Sequence, residues 1–239
     1  MKSTLLKVEN LTKVYSPGQT VWKSVGFHLD KGEFLYVLGG SGAGKSSLLR
    51  TIASFEQPST GKVTCLGVDL QSATASEIER VRRKIAFIPQ NLGLVHDLTL
   101  RDHIELTHFS LRTSERVDSA HLKHLLKMMS LEQYWNKKVG TLSGGEKQRV
   151  AILRALSKKV DLIIADEPTG AQDFEMTWKL MDLFIRVQLT GTAILFATHD
   201  LEMVRRLRKR VGILKDGILK VEEARVSPSP VGQGQGGIL

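Results

Sequence analysis

Glu33-Phe34-Leu35-Tyr36-Val37-Leu38-Gly39-Gly40-Ser41-Gly42-Ala43-Gly44-Lys45-Ser46-Ser47-Leu48-Leu49-Arg50-Thr51-Ile52 is the stretch on which the fold turns. Its first six residues read as a strand, and the run from Ser47 reads as the first turns of a helix. Between them lies a glycine-rich loop of the form G-x-x-x-x-G-K-S. Strand, glycine loop, helix is the context in which this pattern binds phosphate. Glycines let successive backbone N–H groups converge on an anion. The helix start adds unpaired donors and the positive end of its dipole. Within Gly39, Gly40, Ser41, Gly42, Ala43, Gly44, Lys45, Ser46 and Ser47, the Lys45 ammonium is a point charge for β- and γ-phosphates. The Ser46 hydroxyl suits Mg²⁺. A glycine turn without a ligand is the competing reading, and the flanking strand and helix speak against it.

Further along the chain, short apolar runs alternate with helix-length segments, which predicts a mainly parallel sheet covered by helices. Ile85-Ala86-Phe87-Ile88, Leu162-Ile163-Ile164-Ala165 and Ala193-Ile194-Leu195-Phe196-Ala197 are apolar throughout. That suits strands buried on both faces. Residues 5–10 and 21–30 read as shorter, half-exposed strands around the turn Ser16-Pro17-Gly18, an antiparallel flank to the central sheet. Asp216-Gly217 between two apolar runs predicts a hairpin. Residues 99–138 lack strand runs, and His121, Leu122, Leu125, Leu126 and Met129 fall at helical spacing, so an inserted helical subdomain is expected over about 91–159. Residues 175–189 form a second helical stripe through Met176, Leu180, Leu183, Phe184 and Val187, read as core packing. The domain is expected to span 1–225. Residues 226–239, rich in Pro, Gly, Ser and Gln, cannot bury a core and are expected to be a disordered tail.

Asp161-Leu162-Ile163-Ile164-Ala165-Asp166-Glu167 is an apolar strand ending in two acids. The carboxyl edge of a parallel sheet is where ligands bind in such folds. Asp166 can hold Mg²⁺ directly or through water, and Glu167 can orient and polarise an attacking water. Alone the pair is a weak signal; beside the phosphate loop it becomes a strong one.

Composition bounds the rest. The 239 residues are 41% hydrophobic and 25% charged, ordinary for a globular α/β chain. The single cysteine, Cys65, excludes an internal disulfide. A formal net charge of +9 favours an anionic partner without choosing among nucleotide, nucleic acid and lipid. Arg205-Arg206-Leu207-Arg208-Lys209-Arg210 reads as a solvated helix face, with contact to anionic headgroups as the alternative. No run approaches the roughly 20 apolar residues of a spanning helix, so any membrane role is expected to pass through a partner.

Leu142-Ser143-Gly144-Gly145-Glu146-Lys147-Gln148-Arg149 precedes a helical run. Ser143 and the following N–H groups can bind a second phosphate, or Ser143 and Glu146 can form a capping box. The two readings are compatible. L-S-G-G-E-x-Q-R between a G-x-x-x-x-G-K-S loop and a strand ending in Asp166-Glu167-Pro168-Thr169-Gly170 resembles the ABC ATPase family, over nearly the whole chain from Leu5 to Val221.

That resemblance implies a P-loop NTPase of ABC type. Its core sheet is mainly parallel, with an antiparallel N-terminal flank and an inserted helical subdomain. It further implies ATP and Mg²⁺ as ligands, a homodimer, and an integral permease-like membrane partner. By resemblance Tyr15 stacks on adenine, and Gln90 reaches Mg²⁺ and the water and senses the membrane partner. Ser143, Gly144 and Gly145 cap the γ-phosphate held by a second copy, Asp173 belongs to a loop that communicates across the dimer, and His199 is a switch beside the γ-phosphate. The implied catalytic set is Glu167, His199, Lys45 and Gln90, and the implied metal set Ser46, Gln90 and Asp166. Two positions depart from the family pattern: Gln172 stands where leucine is usual, and Ser54 where glycine is common. The stretches Gly32 to Tyr36, Phe27-His28-Leu29 and Ala197-Thr198-His199-Asp200 are similar to the cell-division group of the family. That group pairs with an FtsX-like permease and sits on the cytoplasmic face of the inner membrane. The lipoprotein-release and macrolide-export group is the alternative. A soluble DNA-repair ATPase is disfavoured, because the span between Ser46 and Ser143 is too short for a coiled-coil insertion. No direct nucleic-acid partner is expected.

Overall fold

The computed structural model describes residues 3–15, 18–110, 119–170 and 172–222. The expected turn residues Ser16 and Pro17, and the expected tail at 226–239, lie outside them. The elements are β1 (Thr4–Tyr15), β2 (Gln19–Asp30), β3 (Phe34–Leu38), α1 (Lys45–Ile52), β4 (Thr60–Cys65), β5 (Val68–Asp69), α2 (Ala75–Arg83), β6 (Ile85–Ile88), α3 (Leu100–Ser110), α4 (Ser119–Met128), α5 (Gly144–Leu156), β7 (Leu162–Asp166), α6 (Phe174–Leu189), β8 (Ala193–Thr198), α7 (Leu201–Leu207), β9 (Arg210–Lys215) and β10 (Ile218–Glu222).

The central sheet runs β10-β9-β3-β8-β7-β6. Its strands are parallel except β10, which returns antiparallel to β9 through the Asp216-Gly217 turn. Alternate residues of the parallel strands serve two cores, because successive side chains of a strand point to opposite faces. Phe34, Tyr36, Ile163, Ala165, Ile194 and Phe196 pack with helices α3 to α6 on one face. Leu35, Val37, Leu162, Ile164, Leu195 and Ala197 pack with α1 and the antiparallel sheet on the other. This is why these runs are apolar at every position. In the first core Phe196 is fully buried, with Phe184 at 5.5 Å edge-to-face and Tyr36 at 5.6 Å.

The second sheet runs β2-β1-β4-β5 and is antiparallel throughout. Its two long strands have 12 residues each, longer than the sequence suggests. Register shifts around Asn10 and Ser24, both at positive φ, interrupt the alternation and shorten the visible pattern. β4 and β5 have no counterpart in the sequence reading. Thr60-Gly61-Lys62-Val63-Thr64-Cys65 is half polar and buries only Val63 and Cys65. The hairpin turn closes onto this sheet, where the Lys23 N–H donates to the Gly217 carbonyl at 2.7 Å.

Between β6 and β7 the regular elements among the described residues are helices. α4 buries Leu122, Leu125 and Leu126, as their spacing implies. α5 buries seven residues and packs on β6, so it joins the same hydrophobic core as the sheet. α6 starts one residue before the expected stripe and buries Leu180, Met181, Leu183 and Phe184.

The basic run 205–210 is not one solvated helix face. α7 ends at Leu207, and Arg208 turns the chain with φ 43. Lys209 donates to the Gln188 side chain at 3.0 Å. Arg210 opens β9, where its guanidinium is largely buried and pairs with Glu33 at 3.0 Å. The reason is topological, since β9 must begin here to reach its place beside β3. Ser54, in place of a common glycine, adopts φ 64 after α1. That conformation is one that glycine enters without steric cost.

Phe196→Ala removes a ring from a fully packed site. It is expected to cost about 3–5 kcal/mol in urea unfolding; a loss below about 1 kcal/mol would contradict this account of the core.

Candidate active site

Four parallel strands end at one edge. Leu38 of β3 lies opposite Thr198 of β8, Ala197 opposite Asp166 of β7, and Ala165 opposite Ile88 of β6. The residues that follow each strand therefore meet along that edge: the loop from Gly39, then Glu167, His199 and Gln90.

The loop is shaped by close approach. A Cβ on Gly39 would stand 2.7 Å from the Leu214 carbonyl of β9, nearer than such contacts allow. Gly44, with φ 91, caps α1 and leans on Val21 and Trp22 of β2. Both positions need glycine. Lys45 is buried, and its Nζ donates to the carbonyls of Gly39 (2.8 Å) and Gly40 (3.1 Å). The same Nζ pairs with Glu167 Oε1 at 3.2 Å, while Glu167 Oε2 meets His199 Nδ1 at 3.1 Å. Lys45, Glu167 and His199 thus form one chain of contacts. Burial pushes the Glu167 carboxyl up, but Lys45 and His199 outweigh it and hold the group below its usual value. Glu167 also has φ 50, a strained backbone for a non-glycine residue. Its N–H is fixed by the Ala197 carbonyl at 3.0 Å.

Asp166 is buried, and burial raises its carboxyl while the Ser46 hydroxyl opposes the rise by hydrogen bonding. One of its oxygens, Oδ1, has no hydrogen-bond partner. A buried, unpaired carboxylate oxygen beside a hydroxyl is a hard-oxygen donor set suited to Mg²⁺. Gln90 follows β6 and Pro89 at the same edge and is exposed. Tyr15 ends β1 with its ring partly exposed; its hydroxyl meets Ser47 Oγ at 2.9 Å and donates to Glu56 at 2.7 Å. Lys13 lies over the ring at 4.9 Å. Ser47 and Tyr15, both expected at the nucleotide, therefore touch each other, and Glu56 holds the Tyr15 hydroxyl. Nothing in the sequence pointed to Glu56.

Ser143 caps α5 in a full capping box. Its hydroxyl accepts from the Glu146 N–H, and the Glu146 carboxylate accepts from the Ser143 N–H at 2.7 Å. Ser143 and Gly144 are exposed. Among the described residues, no hydrogen bond or ion pair joins residues 143–145 to the loop 39–46. The two glycine motifs thus make no direct bond to each other among the described residues. Asp173 caps α6, accepting from the Met176 N–H at 2.8 Å. Beside it, an open groove of about 540 Å³ is lined by Glu167, Gln172, His199 and Phe174 among others. Gln148, which lies within the Leu142–Arg149 motif, is buried and donates to the Glu167 carbonyl at 3.3 Å.

The family model described as ABC transporter matches residues 22–170, more than half of the chain. The chain is 34% identical to the cell division ATP-binding protein FtsE of Bacillus subtilis, covering 92% of this chain and 97% of that protein. It is likewise 34% identical to the lipoprotein-releasing system ATP-binding protein LolD of Aquifex aeolicus, over 93% and 99% of the two. Among solved structures, a dimeric post-hydrolysis state of the ATP-binding cassette MJ0796 bound to ADP and Pi superposes with a TM-score of 0.84. It is 34% identical and covers 92% of this chain and 99% of that one.

The Tyr134 hydroxyl and the Ser143 N–H hold the Glu146 carboxyl down at about 2, against 4.5 ordinarily. Since the folded value is the lower one, the ionised group stabilises fully above pH 4.5 and loses that contribution as pH falls towards 2. Glu146→Gln keeps the cap geometry and removes the charge. The stability gap to wild type in urea titrations is therefore expected at neutral pH and should close across that window; a gap independent of pH would disprove the assignment.

Proposed function

Because the chain belongs to the ABC transporter family of ATP-binding cassettes, we propose that two copies clamp two ATP molecules and drive a permease-like membrane partner of the cell-division type. The chain is an ABC ATPase, and cassettes of this family form dimers and partner with membrane permeases. Among the described residues no helix is long and apolar enough to cross a membrane. The reading places the chain peripherally, on the cytoplasmic face beneath that partner.

The observation that carries the chemistry is Glu167 held between Lys45 and His199 at the mouth of the glycine loop. In the proposed pose the amides of residues 39–47 cradle the phosphates and Tyr15 stacks on adenine, worth about 1–3 kcal/mol. An incoming γ-phosphate competes with Glu167 for Lys45 and frees the carboxylate. Glu167, kept ionised, then orients the attacking water and accepts its proton, and His199 holds the γ-phosphate. Ser143, Gly144 and Gly145 of the second copy close over the same phosphate, because within one chain they are separate from it. Asp173 lies at the seam between copies. Ser46, Asp166 and Gln90 would hold Mg²⁺, which supplies charge neutralisation on the phosphate oxygens.

The cell-division role is supported by FtsE similarity along nearly the full length of both chains. The lipoprotein-release reading is supported to the same degree by the similarity to LolD. In the host, loss of the chain is expected to block division and produce filaments. Normal division with lipoproteins retained in the inner membrane would favour the second reading.

Glu167→Gln is expected to bind ATP, to accumulate as an ATP-bound dimer in light scattering, and to lose turnover by about 10²–10⁴-fold. Turnover at the wild-type rate would remove Glu167 from its role.

A further inference from the structure

We propose that Gln172 is a positioning residue that ties the start of α5 to the backbone of Glu167, and so couples the two ATP sites of the dimer within each protomer. This inference rests on the dimeric reading above.

The contacts run without a gap. The Gln172 side-chain amide donates to the Gly145 carbonyl at 2.8 Å and to Gln148 Oε1 at 3.0 Å. Its carbonyl oxygen accepts from Arg149 Nη1 at 3.2 Å. Gln148 in turn donates from Nε2 to the Glu167 carbonyl at 3.3 Å. One side chain thus grips three residues in the first two turns of α5, and one of these reaches the peptide that carries the hydrolytic carboxylate. Gln172 itself stands on a firm base. Its N–H donates to the Thr169 carbonyl at 3.2 Å, the Gly170 N–H donates to the Glu167 carbonyl at 3.4 Å, and Asp173 next to it caps α6.

Direction and chemistry both matter here. In the proposed dimer the exposed start of α5 faces the nucleotide of the other copy, whereas Glu167 acts on the nucleotide of its own. A displacement of Ser143 to Gly145 on closure pulls on Gln172 and, through Gln148, on a peptide already held at φ 50. Such a peptide has few alternative conformations, so a small shift re-aims the carboxylate. Leucine, the residue usual at this position in the resembling family, fills the same space with no donor or acceptor. It would leave the buried Gln148 amide without this partner. The departure from the family pattern is therefore the feature that supplies the link.

The test uses the full-length dimer and ATP. The wild type is expected to show a Hill coefficient above unity for ATP hydrolysis. Gln172→Leu is expected to lower kcat about five- to tenfold, leave KM within about twofold, and bring the Hill coefficient to unity. Gln148→Leu should do the same, and the double variant should be no worse than either single one, since both break one path. Gln172→Glu is a near-isostere that turns donors into acceptors facing Gly145 O and Gln148 Oε1. It should repeat the loss and guards against a folding artefact, as its melting temperature is checked beside the others. A wild-type Hill coefficient of unity, unchanged kcat and cooperativity in Gln172→Leu, or additive losses in the double variant would overturn the coupling. If Glu167→Gln fails to dimerise with ATP, the dimeric reading falls and the coupling with it. If that trap forms while Gln172→Leu behaves as wild type, only the coupling falls.

Discussion

A parallel strand buried on both faces has no room for a charge except at its ends. The four runs β3, β6, β7 and β8 obey this constraint almost without exception, since their interiors are aliphatic or aromatic and enclosed by helices on one side and by α1 and the second sheet on the other. Because the strands point the same way, their carboxyl ends open at a single edge, and every polar residue that follows them is delivered there. Lys45, Asp166, Glu167 and His199 come from three separate strand–helix units, yet they stand within contact range of one another or of Ser46. The site is a consequence of the packing rule, and a break in the apolar layers would scatter it.

The features most legible in the sequence are the ones this constraint imposes. Continuous apolar runs mark the central strands, and Asp216-Gly217 marks the hairpin, because both patterns have one dominant cause. The glycine loop is legible because close backbone approach at Gly39 and a left-handed φ at Gly44 leave no other residue type. β4 and β5 are not legible: they sit at one side of the antiparallel sheet, and residues with one wet face lack a sharp pattern. α2 is equally faint. It buries only Val81 and depends on the Thr74–Glu77 capping box and its surface charges. The basic run 205–210 misleads because composition is blind to where a helix stops. One residue at φ 43 splits it between a helix end and a strand.

At the site itself the sequence marks residue types but not their mutual bonds. Glu56 shows no motif, and only the three-dimensional meeting of β1, α1 and the following turn gives it a role in holding Tyr15 against Ser47. Gln148 was visible as part of a motif, yet its buried bond to the Glu167 carbonyl depends on how α5 crosses the end of β7. Gln172 was visible only as a departure. Side-chain hydrogen bonds between elements distant in sequence have no periodicity, so pattern reading reaches the elements and stops short of these links.

The electrostatics of the edge explain why it suits a triphosphate. Lys45 is a buried cation whose neighbours are two loop carbonyls and one carboxylate, all acceptors. Three acceptors converging on one ammonium define a place where an anion of higher charge density competes well. Glu167 is then the partner most readily exchanged, since it has His199 as a second contact while the loop carbonyls have fixed backbone positions. In the proposed mechanism this exchange would free the carboxylate without large movement, because the strained peptide at Glu167 is held by Ala197, Gln148 and Gly170 whichever partner its side chain takes. In the proposed mechanism the Lys45–Glu167 ion pair is therefore the contact that an arriving phosphate replaces, leaving Glu167 to act as the base. The peptide behind it, bonded from α5 through Gln148, is what would orient that base in the proposed coupling.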